Sequence, residues 1–149
     1  MPFNNLLLQN QLCHPLYSAS NAVQRAYKRI LKKWDITYPQ YLILLALWEQ
    51  NPQTVSSIGQ MTYFDSGTIT PLIQKLEVLD LIEVRVSDLD KRSRVVSLTK
   101  KGQNLKSKMH KVPEEMACLI NLNQKEFEIL KKMISQLHQS LVQAENNEL

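Results

Sequence analysis

The chain is 149 residues long, 44% hydrophobic, and carries a formal charge of +4 with two cysteines. That length supports one domain with a real core, and no apolar run reaches the roughly 18 residues that a membrane-spanning helix needs. The opening stretch MPFNNLLLQNQL lacks the basic region and small-residue cleavage site of a secretory signal. A cytoplasmic location is therefore expected, where thiols stay reduced unless they are meant to react. Cys13 and Cys118 form neither a metal spacing nor a CxxC pair, so no metal and no cofactor is expected.

The charge is uneven. Residues 1–111 hold 15 Lys+Arg against 8 Asp+Glu, a balance of +7, while residues 112–149 hold 3 against 6, a balance of −3. A basic body with a mildly acidic tail points to a polyanion partner for the first part and protein packing for the second.

Only three glycines occur, at 59, 67 and 102, among long amphipathic stretches, which predicts a mostly helical α+β domain. The first helix is expected from about Pro15 to Lys33, with Leu16, Ala19, Val23, Ala26, Tyr27 and Ile30 on one side. Pro15 suits the first helical position because it has no amide hydrogen to lose there, and His14 before it is biased away from helix. In ITYPQYLILLALWEQNPQ, Thr37 and Gln40 stand at capping-box spacing ahead of a buried helix that ends by Asn51-Pro52. Thr54 opens a short helix, TVSSIGQMTYF, and Asp65 or Ser66 opens another, DSGTITPLIQKLEVLD.

The period then changes. Ile82, Val84 and Val86 alternate with Glu83, Arg85 and Ser87, and Val96 and Leu98 alternate with Val95 and Ser97. Two strands joined by a polar loop of about seven residues make a hairpin. Thr99 caps a long helix interrupted near Pro113, and Phe127, Leu130, Ile134, Leu137 and Leu141 lay a narrow apolar seam along a last helix. Helix, tight turn, helix and hairpin in succession predict a winged helix-turn-helix over residues 35–102. It lies within a single domain, 1–149, flanked by N- and C-terminal dimerisation helices over 1–34 and 103–149.

The second helix of that motif would read DNA. Its first turns carry Ser66, Gly67, Thr68, Thr70 and Pro71, with Gln74 and Lys75 one turn on. Short side chains let the backbone come close, and a helix start offers free amides to a phosphate. The plainer alternative is an ordinary capped surface helix, in which Pro71 removes one hydrogen bond. The hairpin tip SDLDKRSR sets Asp88, Asp90, Lys91, Arg92 and Arg94 on a loop without apolar cargo. Arginine there suits an electronegative minor groove, with a neighbouring aspartate holding its guanidinium. Double-stranded DNA is the expected partner.

The stretch from Thr54 to Gly102, with DSGTITPLIQKLE, the D-x-D-x-R of DLDKRSRVVSLT and the LTxxG that follows, resembles the MarR family of dimeric winged-helix regulators. NQLCHPLYSAS, ITYPQYLILLALWE and DSGTITPL further resemble its OhrR-type branch, repressors that sense organic hydroperoxides. The resemblance covers roughly residues 9–112.

Cys13 read alone is a small buried hydrophobe or a chemical sensor. Tyr17 is four residues on and is its neighbour if the helix begins by Cys13. Tyr27 is fourteen residues away, about 21 Å along a helix, so one thiol can meet both phenols only with the help of a second subunit. Phenol hydroxyls donate to a thiolate, and a helix N-terminus favours it. The resemblance implies that Cys13, Tyr17 and Tyr27 are the reactive cysteine and its two tyrosines. It also implies a homodimer on a palindromic operator, released when an organic hydroperoxide oxidises Cys13. By the same resemblance Cys118 is a resolving thiol across subunits, unless a small thiol takes that part or Cys118 is a core residue. His14 and Pro15 depart from the apolar pair usual after the cysteine. Three rivals stand: a MarR-type regulator answering to a small phenolic ligand with Cys13 idle, a thiol peroxidase, and a structural adaptor. With neither CxxC nor a peroxidase-type thiol motif, an enzyme is not expected.

Overall fold

Four helices begin where a polar side chain takes up an orphan amide. Thr54 accepts from the Ser57 amide at 3.1 Å, Asp65 from Thr68 at 2.7 Å and Thr99 from Gly102 at 3.1 Å. At the fourth, the Thr37 amide donates to Gln40 Oε1 at 2.7 Å, one arm of the expected capping box. The structure, a computed structural model, describes residues 3–88 and 90–147; Leu89, within the hairpin tip, lies outside the described residues. The chain divides into two compact units, the first ending at Val112 and the second starting at Pro113.

The first unit opens with two 3-10 turns, Asn4–Leu6 and Leu8–Asn10. Then come α1 (Cys13–Leu31), a 3-10 turn Lys32–Trp34, α2 (Tyr38–Glu49), β1 (Gln53–Thr54), α3 (Val55–Thr62), α4 (Ser66–Val78), β2 (Ile82–Val86), β3 (Arg94–Leu98) and α5 (Lys100–Lys108). The second unit holds α7 (Gln124–Asn147) and most of α6 (Val112–Ile120). The class is mostly helical with a small antiparallel sheet, as expected for a winged helix-turn-helix.

Three local expectations are corrected. Helix α1 starts at Cys13 rather than Pro15, and His14 is helical. Pro15 then occupies the third helical position, where an amide is still without an intrahelical acceptor, so its missing hydrogen is not felt. The hairpin carries a third strand: Gln53 pairs with Val96 and Thr54 with Val95, giving the order β1-β3-β2. Arg94 stands in β3 opposite Val86 rather than on the loop. The long helix after Thr99 is interrupted near Pro113, as expected, with the break at residues 109–111. Buried Met109 and Val112 pin that turn to the core, and the Val112 amide donates to the Met109 carbonyl at 3.0 Å.

One core holds the first unit together. Leu31 and Ile36 meet Ile43, Leu44 and Leu47 of α2, Ile58 of α3, Ile69, Ile73 and Leu76 of α4, Val96 of β3 and Leu105 of α5. Gln53 is buried there with its polar atoms satisfied: its amide nitrogen donates to the Ala46 and Gln50 carbonyls, and its oxygen accepts from Ser57. Where α5 begins, a Cβ on Gly102 would overlap the Leu81 carbonyl oxygen, so only glycine lets the two backbones come this close. Trp48 Nε1 donates to the Gly102 carbonyl at 3.0 Å and ties α2 to α5.

Candidate DNA-reading surface and thiol site

Helix α4 is two-faced. Ile69, Ile73 and Leu76 are buried, which rolls Ser66, Gly67, Thr68, Thr70, Pro71, Gln74 and Lys75 outward together. All seven residues singled out on this helix thus share its exposed face. In the first turn one of the amides is not free for a phosphate. Asp65 Oδ1 accepts the Thr68 amide at 2.7 Å and its Oδ2 accepts the Thr68 hydroxyl at 3.0 Å, so that amide is already taken. The Thr68 amide and hydroxyl hold the Asp65 carboxyl below the usual carboxylate range. The Thr70 hydroxyl donates to the Ser66 carbonyl at 2.8 Å.

Strands β2 and β3 carry the wing. The Ser87 amide donates to the Ser93 carbonyl at 2.9 Å, closing a seven-residue loop that holds Asp88, Asp90, Lys91 and Arg92. Asp90 works on the loop backbone: its Oδ1 accepts the Arg92 amide at 3.0 Å. That differs from the expected grip on a guanidinium. Asp90, Lys91, Arg92 and Arg94 are all exposed.

Cys13 is exposed at the first residue of α1, and Tyr17, one turn on, is 71% exposed. Leu8, Leu12 and Leu16 around this end of the helix are exposed as well. Tyr27 lies elsewhere. It is half-buried against α2, stacked on Tyr38 with ring centroids 4.1 Å apart and tilted towards Tyr41 at 5.9 Å. Burial foremost, then the neighbouring Tyr38 and Tyr41, pushes the Tyr27 phenol up to about 12. Burial likewise raises Tyr38 and Tyr41. Within one chain the structure therefore groups Cys13 with Tyr17, and Tyr27 with Tyr38 and Tyr41, but does not bring all three expected site residues together. Tyr38 and Tyr41 escaped the sequence reading; their signal was the aromatic pair in ITYPQY, at the spacing of one helical turn.

Cys118 is exposed on α6, and Phe127, Leu130, Ile134 and Leu141 of α7 also face solvent. Among the described residues no group of three or more His, Cys, Asp or Glu side chains is placed to hold a metal ion, and no helix is long and apolar enough to cross a membrane.

Comparison with known proteins places this arrangement. Residues 25–109 match the family described as transcriptional regulator SarA/Rot. The chain is 41% identical over 136 residues to the organic hydroperoxide resistance transcriptional regulator of Bacillus subtilis, covering 91% of this chain and 90% of that protein. Among solved structures it resembles reduced AbfR bound to DNA, with a TM-score of 0.83 and 33% identity over 97% of this chain and 99% of the other. It also resembles the disulfide form of AbfR, at 0.65 and 38% over 87% and 91%; AbfR is a protein of Staphylococcus epidermidis. By sequence and by fold, the chain belongs to the MarR family of winged-helix transcriptional regulators, in the branch of the organic hydroperoxide resistance regulators.

Proposed function

We propose that the chain is a DNA-binding transcriptional repressor that senses organic hydroperoxides through Cys13 and then releases its operator. The observation that carries this reading is the thiol standing exposed at the first residue of α1, one turn from Tyr17, in a chain that also carries a winged helix. In the reduced state the exposed face of α4 enters a major groove, while Arg92 and Arg94 of the wing reach the adjacent minor groove. Lys75 neutralises phosphate. Ser66, Gly67, Thr68, Thr70, Pro71, Gln74 and Asp90 complete the surface.

The working unit is a homodimer. Leu8, Leu12, Leu16, Leu119, Leu130 and Ile134 form apolar surface on the terminal elements that one copy leaves in water. Residues 1–34 and 103–149 pair the protomers around the 35–102 core of a single MarR-type domain. A second copy supplies the Tyr27 that a straight α1 keeps from its own Cys13. Held neutral by burial, that phenol keeps a proton to donate towards a thiolate.

The Cys13 thiolate attacks the distal oxygen of an alkyl hydroperoxide. A sulfur–oxygen bond forms as the O–O bond breaks, and the departing alkoxide takes a proton from water to leave as the alcohol. The resulting sulfenic acid is condensed by a second thiol into a disulfide with loss of water. Cys118 of a second copy or a small cellular thiol serves in that step. The reaction is a stoichiometric switch in the cytoplasm rather than enzymatic turnover. One equivalent of cumene hydroperoxide, followed by non-reducing electrophoresis and intact mass, tests this. A covalent dimer identifies Cys118, and an added oxygen or small thiol identifies one-cysteine chemistry. An unmodified Cys13 alongside released DNA would overturn the proposal.

A further inference from the structure

Two hydroxyl protons at the exposed start of α4 are already committed, and this bears on what it reads. The Thr68 hydroxyl proton is given to Asp65 and the Thr70 hydroxyl proton to the Ser66 carbonyl. Each oxygen is left with lone pairs only. Pro71 has no amide hydrogen, so the Gly67 carbonyl, one turn back on the same exposed face, lacks its usual helical donor. Beside them the Asp65 carboxylate is held ionised. On this exposed face the Thr68 and Thr70 hydroxyl oxygens are therefore acceptors.

A phosphate is itself only an acceptor, so these two hydroxyls are mismatched to the DNA backbone. In the major groove the donors are the N6 amino group of adenine and the N4 amino group of cytosine. Only the A·T pair sets that donor beside a thymine methyl, and a threonine carries a methyl next to its oxygen. We infer that Thr70, together with Thr68, determines operator specificity by accepting from an adenine N6 amino group and packing its methyl on the thymine of the same pair. Phosphate contact falls instead to groups such as Lys75. This rests on the proposal that α4 enters the major groove.

The test uses the full-length, reduced protein and duplexes selected by it from a random library. Within the selected half-site, each adenine is replaced in turn by deoxypurine riboside, which lacks the amino group, and each thymine by deoxyuridine, which lacks the methyl. For the wild type, one such adenine replacement should weaken binding about tenfold. Thr70→Val should lose that discrimination and bind both duplexes alike. Thr70→Ser should keep the amino-group requirement and lose the thymine-over-uracil preference. If Thr70→Val instead weakens binding by the same factor on every duplex, the hydroxyl serves the backbone and the inference is wrong. If Thr70→Val changes nothing while Lys75→Ala still weakens binding and flattens its salt dependence, the inference fails and the groove reading survives. If neither variant changes binding, both fail.

Discussion

In the DNA-reading region the groups that set its geometry find their partners inside the same chain. Ile69, Ile73 and Leu76 seat α4 in the core, Asp65 caps it, and three paired strands support the wing. Around Cys13 the reverse holds. The thiol, Tyr17, Leu8, Leu12 and Leu16 all face water, and Tyr27 is engaged far along the same helix. One region finds its partners within a single copy, and the other, on the proposed function, finds them in a second. That division suits the proposed redox switch, in which a reaction at the proposed pairing surface resets the spacing of two DNA-reading helices without unfolding either of them.

The comparison breaks most visibly under core substitutions. Leu76→Ala should cost about 2–5 kcal/mol in urea denaturation, since its fully buried side chain would leave a cavity beneath α4. Gly102→Ala should cost about 1–3 kcal/mol by forcing α5 away from Leu81 and stretching the Trp48 hydrogen bond, read in the same assay. Leu12→Asp, at the incomplete end, should leave the helical circular dichroism intact and weaken self-association at least about tenfold in sedimentation. A stably dimeric Leu12→Asp protein would place the pairing surface elsewhere.

Two titrations sharpen the same contrast. Tyr27 is raised to about 12, so its neutral form is the one the fold favours. Its contribution is full below the ordinary tyrosine value of about 10 and is lost as the pH climbs through about 12. Ultraviolet titration should show a late-ionising phenol that Tyr27→Phe removes. Asp65 is lowered, so the stabilisation from its cap is present above the ordinary carboxylate value of about 4 and fades as the pH falls below it. Asp65→Ala should abolish that small acid-side component of the melting profile.

What the sequence disclosed follows the range of the forces involved. Helix starts at Thr37, Thr54, Asp65 and Thr99 depend on side chains three residues from the amides they bind, so they were readable locally. The alternation at Ile82–Val86 and Val96–Leu98 gave the hairpin for the same reason. Strand β1 is two residues long and exists only because Val95 and Val96 lie beside it, a contact no local period encodes. The Tyr27–Tyr38 stack joins two helices and was equally hidden. The start of α1 was misjudged because Pro15 fits the third helical position as well as the first. On α4 the residue types were legible, but the direction of their hydroxyl protons was not: whether Thr68 and Thr70 donate or accept depends on the folded Asp65 and Ser66.

The most direct measurement follows fluorescence anisotropy of a labelled operator duplex with reduced wild-type and Cys13→Ser protein under increasing cumene hydroperoxide. The wild type should let go as the peroxide approaches one equivalent per chain, while Cys13→Ser, binding as tightly at the outset, should hold on throughout. Release of the Cys13→Ser protein over the same peroxide range would contradict a thiol-operated switch.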